Sequence, residues 1–246
     1  MEVHHHSHTE RKKWTHYFWE FLMLFLAVTL GFFVENQREH FIEYRREKQY
    51  VRSFVGDLKS DLEQLDSLVK QRIKRKKDMD SLSIVLSTAD PDVYAKQIYY
   101  FSRTLTISYQ FFRNERTIHQ LKNGGNLRLI RKQDVSDAIM IYDHHVHWID
   151  LVATREQEYI LEYVKRIEEL FDTRVFNKMI TETFSFKMPE DEEVHLLKND
   201  KQSIQLFLNK IHFLSSVNDY HLIVYNRLLD LAKQAKATIE KEYSIK

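Results

Sequence analysis

The sequence predicts an all-α protein, in which an N-terminal transmembrane helix continues into an antiparallel, four-helix-bundle-like domain of long helices. Three observations carry this expectation. Only four glycines and two prolines occur in 246 residues, so few positions can interrupt a helix. Phe21 to Val34 is a run of fourteen residues without a charge. Beyond it, apolar residues recur at helical spacing, and the breakers Pro91, Gly124-Gly125 and Pro189 fall between the periodic segments. The expected organisation is a His-rich basic tail over 1–16, a transmembrane helix over 17–35 and an extramembrane helical domain over 36–246.

The tail carries His4, His5, His6 and His8, followed by Arg11, Lys12 and Lys13. Clustered imidazoles are candidate ligands for zinc, copper or nickel. From Tyr17 to Val34 a helix measures about 27 Å at ~1.5 Å per residue, close to the ~30 Å hydrocarbon thickness of a bilayer. Trp14, Tyr17, Phe18 and Trp19 supply an interfacial aromatic belt. Cleavage as a signal peptide is not expected, because Gly31-Phe32-Phe33-Val34 offers bulky residues where a signal peptidase needs small ones. Glu20 stands one turn inside the boundary, with His16 four residues earlier in position to pair with it. Glu20, Ala27, Gly31 and Arg38 share one helical stripe, and Ala27-x-x-x-Gly31 is a small-xxx-small face on which two anchors can pack. Basic residues flank both ends of the span, Arg38, Arg45, Arg46 and Lys48 following it, so orientation rests on the short basic tail, which favours a cytoplasmic N-terminus and a periplasmic domain.

After the span, Val51, Val55, Leu58, Leu62, Leu65 and Val69 form a heptad seam that suits either the protein's own bundle or a second copy. Arg72-Ile73-Lys74-Arg75-Lys76-Lys77 then interrupts it and reads as a solvated face, with a docking patch for an acidic partner as the alternative. A second helix is expected from Asp92 through Ile98, Phe101, Leu105 and Phe112 to Leu121, despite the β-prone Thr104, Thr106, Ile107 and Tyr109. Asn123-Gly124-Gly125-Asn126 provides a left-handed stop. A third helix is expected from Gln133-Asp134 through Leu170, then a connection of undefined shape around Thr183 to Glu193, and a last helix from Lys201.

The composition limits the chemistry. Thirty-seven basic and thirty-six acidic residues nearly cancel, so no global field attracts nucleic acid. The absence of cysteine excludes disulfides, thiolate metal sites and cysteine nucleophiles. No His-Glu-x-x-His, Gly-x-Ser-x-Gly or phosphate-binding glycine loop occurs. Within the third helix, Asp143, His147 and Asp150 lie on one face at i, i+4 and i+7, a pattern able to present two carboxylates and an imidazole to a divalent metal. A polar helix face is the alternative reading of the same three residues.

Two segments, WEFLMLFLAVTLGFFVENQREH from Trp19 to His40 and LKNGGNLRLI from Leu121 to Ile130, resemble a family of uncharacterised single-span membrane proteins of Bacteroidota. In that family a glutamate-led anchor ends in Glu-Asn, and a histidine-rich start is also familiar. The resemblance implies a bacterial inner-membrane setting and carries over no catalytic residue and no cofactor. The first expectation is therefore a non-enzymatic, membrane-anchored sensor, scaffold or accessory subunit of an envelope complex. Its partners would be the lipid bilayer, a further copy of the chain and an unidentified membrane protein. Two alternatives are a metal-responsive protein using the histidine tract or the Asp143 face, and a stator-like ion-translocating partner using Glu20.

Overall fold

A computed structural model describes residues 13–88, 90–183, 185–191 and 193–245. Its regular structure is helical: α1 (Trp14–Leu86), α2 (Ala95–Thr104), α3 (Arg116–Asn123), α4 (Gln133–Leu170), α5 (Thr173–Met179) and α6 (Lys201–Tyr243), with 3-10 turns at Pro91–Tyr94 and Asn126–Leu129. Among the described residues no strand occurs, only an isolated bridge between Ile180 and Phe186. The chain divides into two compact units, one ending at Gln49 and one starting at Tyr50.

The first unit is the N-terminal part of α1. Its apolar stretch reaches a mean hydropathy of 1.9 over eighteen residues, none of which is buried within the protein. Length and composition suffice to cross a membrane. Beyond the stretch, charged side chains settle along the helix: Arg38 pairs with Glu35 at 2.7 Å, and Arg45 lies over the Phe41 ring at 4.4 Å.

In the second unit the heptad seam of α1 goes into the protein's own core. Val51, Leu58 and Leu65 cluster with Ile139 and Val146 of α4, Leu228 and Ala235 of α6, and Ile118 and Leu121 of α3. A second apolar cluster joins Leu82 and Leu86 of α1 to Ala95 and Ile98 of α2, Tyr163 and Leu170 of α4, and Phe207 and Leu214 of α6. Reading each helix from one cluster to the other gives the topology: α1 and α4 run one way, and α6 and the α2–α3 segment run back. The path is an up-down-up-down bundle.

One leg of that bundle differs from expectation. The second helix does not run from Asp92 to Leu121; it stops at Thr104, resumes at Arg116 and leaves 105–115 non-helical. The β-branched and aromatic residues Thr104, Thr106, Ile107 and Tyr109 disfavour a helix there, and side chains of α1 take over the backbone hydrogen bonds, as described below. Elsewhere the chemistry of the ends matches the boundaries. Gly125 has φ of +62°, and a Cβ on Gly124 would lie 2.8 Å from the Gln120 carbonyl oxygen, so both glycines serve the turn after α3. Asp172 and Asp200 cap α5 and α6 by accepting from the amides of Arg174 and Ser203.

Candidate functional site

Between the two apolar clusters lies a layer of buried polar side chains. Arg72 of α1, Glu156 of α4, and Asn218 and His221 of α6 are all fully buried. Each stands where the 3–4 spacing of its helix calls for an apolar residue: Arg72 between Val69 and Met79, Glu156 between Ile149 and Ile160, Asn218 and His221 between Leu214 and Tyr225. The basic run at Arg72 to Lys77 is thus not a solvated face throughout. Arg72 and Arg75, at i and i+3, turn inward, while Lys74 and Lys77 stay exposed.

Arg72 grips Glu156 with both guanidinium nitrogens, Nη1 donating to Oε1 and Nη2 to Oε2, the latter at 2.8 Å. The same Nη2 donates to the Tyr109 carbonyl at 2.6 Å. Asn218 closes the arrangement by donating from Nδ2 to the Arg72 carbonyl at 3.1 Å. Burial works to raise the Glu156 pKa, but the hydrogen bonds and charge of Arg72 prevail and hold it below the usual carboxylate range. For Arg72, burial works against the charge and Glu156 prevails, so the pair stays ionised. Arg75 stands 3.9 Å from Glu156, and there burial prevails and draws its pKa down.

His221 is neutral in this layer. Burial first, and then the Arg72 charge, lower its pKa to about 4. Its Nδ1 lies 3.1 Å from the Val217 carbonyl, which places the ring proton on Nδ1 and leaves Nε2 facing Glu156 at 3.9 Å, beyond hydrogen-bond reach.

The polar side chains of α1 also hold the non-helical strap 105–115. Arg75 donates to the carbonyls of Ile107 and Leu105, the second at 2.8 Å, and Arg72 to that of Tyr109. Gln64 pairs with both backbone groups of Phe112, donating to its carbonyl at 2.9 Å and accepting from its amide at 2.5 Å. Asp61 accepts from the Asn114 amide at 3.0 Å, and Asp57 from the Thr117 amide at 3.3 Å. Along α1 the residues therefore change from acceptors to donors, Asp57, Asp61, Gln64, Arg72, Arg75, as the facing backbone groups of α3 and the strap change from amides to carbonyls. The buried Leu105 carbonyl and Thr117 amide find their partners this way.

A second polar cluster surrounds the N-terminal part of α4. Tyr142 donates to Asp61 at 2.7 Å. Asp143 accepts from Arg113 at 2.7 Å and from Lys122 at 2.8 Å, tying α4 to the strap and to α3. Burial raises the Asp61 pKa, against the lowering effect of the Tyr142 hydrogen bond.

These contacts separate the three residues read as a metal face. Asp143 is buried with two cationic partners, whereas His147 and Asp150 are exposed and 3.9 Å apart. Among the described residues no group of three histidines and acids is placed to hold a metal ion. His4, His5, His6 and His8 lie outside the described residues. Glu20, Ala27 and Gly31 are exposed on the helix, with Glu20 Oε1 3.1 Å from His16 Nε2, and a Cβ at Gly31 would meet nothing within 4 Å. Comparison of the chain with protein-family models, with curated proteins and with solved structures finds no match.

Proposed function

We propose that the chain is a membrane-anchored, non-enzymatic helical module that acts as a sensor, scaffold or accessory subunit of an envelope complex and self-associates through its anchor. One observation carries the reading: a single uninterrupted helix holds both the exposed apolar stretch and the side chains that organise the bundle core and the strap. A helix built this way belongs to the anchor and to the folded domain at once. The Ala27/Gly31 pair supports self-association, since small residues let two anchors approach closely. The bacterial inner membrane, a periplasmic bundle and kinship with the Bacteroidota family resembled by Trp19–His40 belong to the same proposal.

Extraction of membranes with alkaline carbonate tests the anchor. The full chain is expected in the pellet, and its recovery in the soluble fraction would refute the reading. Cross-linking in mild detergent tests self-association: the wild type is expected to give an oligomer and Gly31→Leu a monomer. A monomeric wild type would remove that part. Because the chain has no cysteine, Ser244→Cys reports orientation through a maleimide that cannot cross the inner membrane. Labelling in intact cells is the expected result, and labelling only after permeabilisation would place the bundle in the cytoplasm.

A further inference from the structure

The buried layer leaves one cation short of a partner. It contains two guanidinium groups, one carboxylate and a neutral imidazole, and so carries a net charge of +1. Glu156 spends both oxygens on Arg72 and stays 3.9 Å from Arg75. Arg75 donates to two carbonyls, while its Nε is buried without a hydrogen-bond partner. Buried charges are normally paired, and a cation supported only by carbonyl dipoles and a distant, shared carboxylate is incompletely compensated.

Arg75 also lines a cleft of about 210 Å³. Its walls include the rings of Tyr100, Tyr109 and Phe186, and the Arg75 guanidinium carbon lies 5.9 Å from the centre of the Tyr109 ring. Lys74 stands at the rim, and Gln71 and Thr104 add polar groups. The acid on the wall, Asp78, accepts from Lys74 at 3.1 Å and is therefore occupied. A cavity of about 150 Å³ suffices for benzene, so this cleft has room for a benzene ring bearing one carboxylate. Three aromatic walls suit a ring better than a fully hydrated inorganic anion.

We propose that this cleft binds a small aromatic carboxylate, whose charge compensates Arg75 and whose ring packs among Tyr100, Tyr109 and Phe186. The site supplies the sensing role with a ligand class and rests on that reading for its purpose, although binding and membrane anchoring are measured independently.

The test uses the full chain in detergent micelles at pH 7, with benzoate as probe, benzamide as its uncharged counterpart, inorganic phosphate as a second anion and empty micelles as the blank. Calorimetry is expected to give saturable benzoate binding with a Kd of about 1 mM or tighter, and benzamide and phosphate at least about tenfold weaker. Removing Arg75 itself risks the fold, so the variants are Gln71→Trp, which fills the cleft from an exposed position of α1, and Lys74→Gln. The first is expected to weaken benzoate at least about tenfold and the second severalfold, both with unchanged thermal stability. Absence of saturation, benzamide binding as tightly as benzoate, or full affinity in Gln71→Trp overturns the proposal. Phosphate binding as tightly as benzoate overturns the aromatic assignment.

Discussion

Replacing Glu156 by glutamine leaves size and one acceptor in place but removes the carboxylate paired with Arg72 in the buried layer. Both Arg72 and Arg75 then remain buried as cations. Breaking a buried ion pair from one side costs about 3–5 kcal/mol, and the retained amide oxygen puts Glu156→Gln near the lower end, about 3 kcal/mol. For a folded unit of some 150–250 residues each kcal/mol moves Tm by about 2–4 °C, so the expected fall is roughly 6–12 °C. Circular dichroism of the full chain in micelles, followed through the helical signal, measures it. The companion Arg75→Gln removes the excess cation, and in the double variant the two effects are expected to be less than additive by about 1 kcal/mol or more, because the residues share one charge balance. A Tm within about 2 °C of the wild type for Glu156→Gln, or strict additivity, would refute the assignment of Glu156 as the counterion of this layer.

His221 makes stability depend on pH in a defined window: the unfolded chain takes up a proton near 6.5 and the folded chain only near 4, so stability is complete above 6.5 and falls by roughly 3 kcal/mol as pH drops to 4. Denaturant titrations across that window are expected to show a clearly shallower loss for His221→Leu, and an unchanged slope would count against the buried neutral imidazole. Glu156 behaves with its own sign: its folded pKa is depressed, so its contribution is present above the ordinary glutamate range and disappears as pH falls through the lower folded value. Gln64→Ala removes both hydrogen bonds to Phe112 and is expected to cost about 1–2 kcal/mol, with faster hydrogen exchange at the Phe112 and Asn114 amides; unchanged exchange there would deny Gln64 its role in holding the strap. Gly56 lies on an exposed face of α1, where an added Cβ meets nothing within 4 Å, so Gly56→Ala is expected to stabilise by roughly 1 kcal/mol, a gain of a few degrees in a melting experiment.

Much of the fold was legible because its signals are local. The uncharged run, the start of α4 at Gln133, the start of α6 at Lys201 and the Gly124-Gly125 turn all depend on residues within a few positions of the feature they define. The strap was not legible. Ile98, Phe101, Leu105 and Phe112 keep a helix-like spacing, and what breaks the helix is a set of side chains on α1 that lie 30 to 53 residues earlier. A weaker hint was present in the cluster of β-prone residues from Thr104 to Tyr109. The metal face failed to assemble for a related reason: one-helix spacing placed Asp143 beside His147, but Arg113 and Lys122 arrive from other elements and engage it.

The buried layer had a signal that the count of charges concealed. Read alone, Arg72 to Lys77 is a basic surface run. Placed on the seam that contains Leu65 and Val69 and resumes at Met79, Arg72 occupies a core position, and Glu156, Asn218 and His221 do the same on their helices. Polar residues at matching levels of three seams are difficult to satisfy in any register but one. Sliding α4 by a turn against α1 would set Glu156 against apolar neighbours and strand two buried guanidinium groups, a far larger loss than shifting a leucine among leucines. The layer also divides the core into two apolar clusters, so each of the long helices is anchored on both sides of it. The same arginines that choose the register of α4 bind the carbonyls of the strap, and the return leg of the bundle therefore follows the placement of α1.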